Sequence, residues 1–89
     1  MVRRTVTIVN KLGLHARAAA KLVATACDYK SCVHISRNGR QVDAKSIMPV
    51  MMLAASQGME VELTVEGSDE AEAMEALVTL IEDYFGEGE

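Results

Sequence analysis

The chain has 89 residues, of which 49% are hydrophobic, and its formal net charge is −4. This length is enough for one hydrophobic core but not for two, so we predict a single domain over residues 1–89. No apolar stretch reaches the roughly 18 to 20 residues of a membrane span, and Arg3 and Arg4 interrupt the N-terminus where a signal peptide would be apolar. We therefore expect a cytoplasmic protein without membrane insertion. The acidic residues, concentrated between residues 60 and 89, argue against nucleic-acid binding.

The first half of the sequence alternates between strand and helix patterns. Apolar residues alternate with threonines within residues 2–9, which predicts a strand. Residues 16–27 predict a helix. Its predicted apolar stripe consists of Ala16, Ala19, Ala20, Val23 and Cys27. Alternation around residues 33–36, the turn dipeptide Asn38-Gly39 and a return strand at Val42 predict a β-hairpin.

The second half predicts a helix, a strand and a further helix. Residues 46–55 are apolar on nearly all sides, which favours a short helix that ends near Gly58, with Met52 and Leu53 in the core. Residues 60–66 alternate between polar and apolar side chains, which indicates a strand with one face in water.

The last helix is predicted to start after Ser68 or Asp69 and to stop at Gly86. Its predicted apolar stripe consists of Ala71, Met74, Leu77, Val78, Ile81 and Phe85. The acidic tail, residues 86–89, is expected to be frayed. The order β-α-β-β-α-β-α predicts an α+β open-faced β-sandwich, in which three helices cover one face of a four-stranded antiparallel sheet.

Between the first strand and the first helix lies a segment suited to phosphate chemistry. His15 immediately precedes the helix, whose first N–H groups have no partners within the helix and attract anions. Arg17 adds a fixed positive charge with several donors. An unprotonated imidazole nitrogen is a nucleophile, so His15 could carry a phosphoryl group covalently. From these residues alone, a helix-capping histidine without chemistry is an equal alternative, although Gly13 would let a partner's backbone approach.

Two further features could indicate metal binding or partner docking. Cys27, Cys32 and His34 lack a fourth ligand, so we predict no metal site, no cofactor and reduced thiols. Ile47, Met48 and Met51 lie on one side of the short second helix. Flexible thioether side chains on so short a helix suit a surface that docks several partners in turn, whereas the alternative places them in the core.

Two motifs make the sequence similar to the HPr family, the histidine-containing phosphocarriers of the bacterial phosphoenolpyruvate phosphotransferase system. They are residues 10–17, Asn-Lys-Leu-Gly-Leu-His-Ala-Arg, and residues 44–48, Ala-Lys-Ser-Ile-Met. The resemblance runs over nearly the whole chain. It departs from the usual family pattern at Ala18, where proline is common, and at Pro49, where glycine is common.

The resemblance implies a role for each matching residue. His15 would accept the phosphoryl group on Nδ1 from Enzyme I and donate it to an Enzyme IIA domain, and Arg17 would attend the phosphate. Ser46 matches a serine that an HPr kinase/phosphorylase modifies in some lineages. Ile47, Met48 and the neighbouring Met51 would belong to the partner-docking surface. Such a carrier is expected to be a monomer and a substrate of its partners, not an enzyme.

The pattern leaves two alternatives to a carrier in sugar transport. One is a carrier with the same chemistry in the nitrogen-related branch, which signals instead of transporting. The other is a regulatory adaptor that acts through Ser46 and passes no phosphoryl group. The presence of His15 argues against the adaptor, because adaptors of that kind lack the histidine.

Overall fold

The computed structural model describes residues 1–87, which form an open-faced α+β sandwich. The strands are β1 (Val2–Thr7), β2 (Cys32–Arg37), β3 (Arg40–Asp43) and β4 (Glu60–Glu66). The helices are α1 (Ala16–Cys27), α2 (Ile47–Met52) and α3 (Glu70–Glu82), and a 3-10 turn follows at Tyr84–Gly86. All strand pairs are antiparallel, in the order β1-β4-β2-β3. The predicted fold class and element order are confirmed.

The sheet buries one face under the helices and leaves the other in water. In β4 the apolar Val61, Leu63 and Val65 are buried, and the glutamates between and beside them are exposed, as the alternation predicted. The buried face joins apolar residues of all three helices in one core cluster. In residues 1–87 no helix is both long and apolar enough to cross a membrane.

Helix α1 begins and ends where predicted but buries a different face. Its buried residues are Ala18, Ala19, Leu22 and Ala26. Of the predicted stripe, only Ala19 is buried; Val23 is partly buried and the others, Ala16, Ala20 and Cys27, are exposed. The predicted stripe was therefore wrong by about one residue, a rotation of about 100°. A helix this rich in alanine has little apolar contrast between its faces, so the sheet beneath it selects the buried one.

Two elements are shorter than the sequence predicts. Strand β1 ends at Thr7, where its ladder with β4 ends, and not at residue 9. Helix α2 ends at Met52 because Ala54 adopts a left-handed conformation, with φ 53°, and Arg37 donates a hydrogen bond of 2.8 Å to the Leu53 carbonyl. The core assignment was correct for Leu53 and wrong for Met52, whose side chain is 57% exposed.

The last helix stops at Glu82, earlier than the prediction. Tyr84 and Phe85 adopt left-handed φ angles of 58° and 52°, which reverse the chain. Phe85 is fully buried as predicted, although the reversed chain and not the helix places it there. Ala71, which the predicted stripe included, is exposed, and Ala73 is buried instead.

Asp69 occupies the predicted N-cap position of α3 but does not cap that helix with its side chain. Its carboxylate accepts hydrogen bonds from the backbone N–H groups of Lys30 and Ser31, at 2.9 and 3.0 Å, and from the Ser31 hydroxyl. The hydrogen bond from this hydroxyl, followed by the one from Lys30, lowers the pKa of Asp69. Asp69 thus joins the loop after α1 to the start of α3.

Candidate functional site

His15 is the N-cap residue of α1. Its backbone is extended, with φ −74° and ψ 178°, and its carbonyl accepts the first hydrogen bond of the helix, 2.8 Å from the Ala19 N–H. The ring nitrogen Nδ1 accepts a hydrogen bond from the Arg17 N–H at 3.3 Å. His15 therefore places Nδ1 directly against the positive end of the helix, where an anion is stabilised.

A tight turn before the helix fixes this placement. The Gly13 N–H donates to the Asn10 carbonyl at 3.2 Å, and the Asn10 side-chain amide donates to the Gly13 carbonyl at 2.8 Å. Gly13 has φ +66°, and a Cβ there would lie 2.4 Å from the Ala55 carbonyl oxygen. The interpretation that Gly13 admits a partner's backbone was wrong, because the backbone close to Gly13 is this chain's own loop after α2. In that loop the Ala55 carbonyl also accepts a hydrogen bond of 2.9 Å from the Leu14 N–H.

The second ring nitrogen of His15 meets a residue that sequence reasoning missed. Nε2 contacts the carboxylate oxygen Oε2 of Glu87, 72 residues away in the chain. The other oxygen, Oε1, accepts a hydrogen bond of 3.0 Å from the buried Asn10 amide. The Glu87 side chain is only 13% exposed, so the expectation of a frayed tail was wrong at this residue, whereas residues 88 and 89 lie outside the described ones.

The partners of the two ring nitrogens define the tautomer of a neutral His15. A carboxylate can only accept a hydrogen bond, so the proton lies on Nε2, which donates to Glu87. A backbone N–H can only donate, so Nδ1 carries a lone pair, which accepts from Arg17. The atom beside the helix terminus is therefore the nucleophilic one.

Glu87 is held as a carboxylate by its surroundings. Burial on its own raises the pKa of the Glu87 carboxyl, but hydrogen bonds from His15 and Asn10, together with the charges of His15 and Lys21, outweigh it and lower the pKa. The group that contacts Nε2 is therefore ionised at neutral pH.

His15 and Arg17 share an open cleft that is also lined by two lysines. The side chain of His15 is 28% exposed there, between the turn before α1 and the C-terminal turn. The cleft is lined by Lys11, Leu12, His15, Ala16, Arg17, Lys21, Gly86 and Glu87. Lys21 donates a hydrogen bond of 2.7 Å to the Phe85 carbonyl, whereas the exposed Arg17 guanidinium makes no hydrogen bond within residues 1–87. Arg17 can therefore turn toward an anion on His15 without breaking a contact described there.

The predicted docking residues lie on α2, which packs against α1 but does not line the cleft. Ile47 and Met48 are exposed, at 43% and 66%, while Met51 is half-buried against the core. Sequence reasoning missed two further exposed apolar side chains, Met52 on α2 and Leu12 beside His15. Their exposure becomes visible only when the buried face of each segment is known.

Ser46 is the N-cap residue of α2, and its hydroxyl makes no capping hydrogen bond to that helix. The third helical residue, Pro49, has no N–H, and the Met48 N–H is not bound by the hydroxyl either. The backbone holds the position instead: the Ser46 N–H donates to the Asp43 carbonyl at 3.2 Å, and its carbonyl accepts from Val50 at 3.3 Å. The Ser46 hydroxyl therefore contributes little to the helix.

Comparison with known proteins identifies the family of this chain. Residues 2–83 match the family model described as the PTS HPr component phosphorylation site. The chain is 63% identical to the phosphocarrier protein HPr of Cupriavidus necator and 54% identical to that of Neisseria meningitidis, in each case over the full length of both chains.

Solved structures of the same family share the fold. The crystal structure of HPr-C-His from Thermoanaerobacter tengcongensis superposes with a TM-score of 0.95 at 50% identity, covering 98% of each chain. The HPr structure from Bacillus anthracis gives a TM-score of 0.87 at 41% identity, covering 90% of this chain and 95% of that one. Sequence match and fold agree, and the chain belongs to the HPr family, the phosphocarrier proteins of the phosphotransferase system.

Proposed function

We propose that this phosphocarrier accepts a phosphoryl group on His15 Nδ1 from phosphorylated Enzyme I and donates it to an Enzyme IIA domain. The observation that carries this proposal is the pair of partners around the imidazole, which leaves the lone pair on Nδ1 at the helix terminus. The protein is then a substrate of both partners and not an enzyme, because its own histidine is modified and regenerated in each cycle.

The transfer needs no external base. The Nδ1 lone pair forms a bond to phosphorus, the donor's bond to phosphorus breaks, and that electron pair stays on the donor. The Nε2 proton remains on the ring, which becomes positively charged beside Glu87. The N–H groups at the start of α1 and the Arg17 guanidinium stabilise the phosphoryl oxygens. Transfer to Enzyme IIA reverses these bond changes.

Arg17 is expected to matter for transfer far more than for folding. A charge-assisted hydrogen bond to phosphate is worth about 1.5 to 3 kcal/mol, so Arg17→Ala should slow phosphorylation by about 10- to 100-fold. Its exposed side chain contributes little to folding, so the melting temperature should hardly change. Rates and melting curves are compared with Arg40→Ala, which removes an exposed arginine from β3. A large loss of stability with normal transfer would assign Arg17 a structural role.

The docking surface that we propose is formed by Ile47, Met48 and Met51, extended by Met52 and Leu12. These side chains are exposed or half-buried. Leu12 lines the cleft that holds His15, and the other four lie on α2, which packs against α1, the helix that His15 caps. An apolar patch beside cationic side chains suits partners whose own surface has apolar pockets and acidic groups. Enzyme I and Enzyme IIA would use the same patch in turn, since each must reach the same nitrogen.

We further propose Ser46 as a regulatory site for an HPr kinase/phosphorylase. Ser46→Asp should slow phosphorylation by Enzyme I roughly tenfold, a change of about 1.4 kcal/mol, because a negative charge beside Ile47 and Met48 repels an acidic partner. The effect should shrink as the salt concentration rises. Thermal stability should be unchanged, since the hydroxyl makes no capping bond to α2.

The matched control for this variant is Ser68→Asp. It adds the same charge just before α3, at the opposite end of that helix from the turn that carries Glu87. A rate equal to wild type for Ser46→Asp, or a rate lowered only because the variant unfolds, would remove Ser46 from the functional site.

The proposal is tested by incubation with phosphoenolpyruvate labelled in its phosphoryl group and a purified Enzyme I. We expect one label per chain, stable in base and lost in acid, as a phosphoramidate requires. Parallel reactions with Enzyme I of the sugar branch and of the nitrogen-related branch assign the physiological donor by the faster initial rate. Absence of label with every donor would contradict the proposal, and a label that survives acid would place the phosphoryl group on another residue.

A further inference from the structure

We propose that Glu87 is a positioning residue for phosphoryl transfer, which holds the His15 imidazole with its proton on Nε2 and its lone pair on Nδ1. This inference rests on the proposed function and adds a residue to it. The Glu87 carboxylate contacts Nε2 of His15 and thereby joins the C-terminal turn to the start of α1.

A bend in the chain after α3 brings Glu87 to His15. Tyr84, Phe85 and Gly86 all have left-handed φ angles, of 58°, 52° and 75°. For residues other than glycine this conformation costs about 1 to 2 kcal/mol each, so it persists only where the surroundings impose it. Here the fully buried Phe85 side chain and the hydrogen bond from Lys21 to its carbonyl impose it. The bend presents Glu87 to the cleft.

Asn10 holds the other side of the same carboxylate. Its fully buried amide donates to Glu87 Oε1 at 3.0 Å and to the Gly13 carbonyl at 2.8 Å. Both partners are acceptors, so only the NH2 group of Asn10 can face them, which fixes the amide orientation. The turn that presents His15 and the carboxylate that binds its ring are thereby tied together by one side chain.

This arrangement provides what the transfer requires of the ring. A neutral imidazole has two tautomers, and only the one protonated on Nε2 has a nucleophilic Nδ1. When the N–P bond forms and the donor's bond to phosphorus breaks, the proton stays on Nε2 and the positive ring lies against the carboxylate. Glu87 acts as the carboxylate of a catalytic triad acts on its histidine, by orientation and charge and without accepting the proton.

The tautomer of His15 can be measured without any partner. In protein labelled with nitrogen-15, the chemical shifts of the two ring nitrogens report which one carries the proton. At a pH where the ring is neutral, we expect the Nε2-protonated form to predominate in the wild type and a mixture of both tautomers in Glu87→Ala. Glu87→Gln, which keeps an acceptor but loses the charge, should be intermediate.

The same variants are then tested for phosphorylation by Enzyme I. Loss of a group that orients a metal-binding histidine costs roughly 10- to 100-fold, and by analogy we expect a fall of about this size for Glu87→Ala and a smaller one for Glu87→Gln. The matched control is Glu82→Gln, an exposed carboxylate at the end of α3. Melting curves identify any variant that loses rate by unfolding.

The outcomes separate this inference from the proposed function. If the wild type accepts the label and Glu87→Ala keeps both the wild-type tautomer and rate, the positioning role is refuted and the carrier function stands. A faster rate in Glu87→Ala would also refute it, because the carboxylate would then obstruct the donor. If the wild type accepts no label, the proposed function fails, whatever the tautomer measurement shows.

Discussion

Replacing His15 with alanine is expected to abolish phosphoryl acceptance while leaving the protein folded. The nucleophilic Nδ1 is lost, and the ammonium and guanidinium groups of the lysines and Arg17 that line the cleft are poor nucleophiles. The variant also loses the N-cap hydrogen bond to the Arg17 N–H, which costs about 1 kcal/mol of stability. Label from phosphoenolpyruvate should therefore be at background, with a small fall in melting temperature.

The other histidine in the chain provides the control. His34 lies in β2, paired with Thr64 of β4 and Asp43 of β3, and is only partly exposed. His34→Ala should accept the label at a rate close to that of the wild type. Label remaining on His15→Ala, or lost from both variants alike, would contradict the assignment of the phosphoryl group to His15.

The largest effect on stability is expected for Gly13→Ala. A residue with a Cβ at φ +66° costs about 1 to 2 kcal/mol. The new Cβ would also lie 2.4 Å from the Ala55 carbonyl oxygen, and overpacking of this kind costs about 1 to 3 kcal/mol more. We expect a total loss of about 2 to 5 kcal/mol in the free energy of unfolding, measured by urea denaturation. Phosphorylation should also slow, because relief of the clash displaces the turn that presents His15.

Gly39→Ala separates the two contributions. Gly39 in the hairpin turn has φ +81°, and a Cβ there would meet no atom within 4 Å. This variant should therefore lose only the conformational part, about 1 to 2 kcal/mol, and transfer the phosphoryl group normally. Equal losses of unfolding free energy in the two variants would show that the Cβ added at residue 13 does not clash with the Ala55 carbonyl.

Features that depend on neighbouring residues in the chain were predicted from the sequence. The alternation in residues 60–66 predicted β4 with its correct bounds, and Asn38-Gly39 predicted the hairpin turn, where both residues have positive φ angles. The start of α1 directly after His15 was also predicted, and with it the helix terminus that faces Nδ1. In each case the signal is a local period or the conformational preference of one or two residues.

Features that depend on which surfaces meet were decided only by the tertiary structure. The buried face of α1 and the exposure of Met52 follow from how the helices lie on the sheet, because a run of small or uniformly apolar residues has no preferred side. The contact between His15 and Glu87 spans 72 residues and depends on the chain reversal at Phe85. No local pattern encodes such a contact: the burial of Phe85 and the Asn10 amide bring the carboxylate to the imidazole.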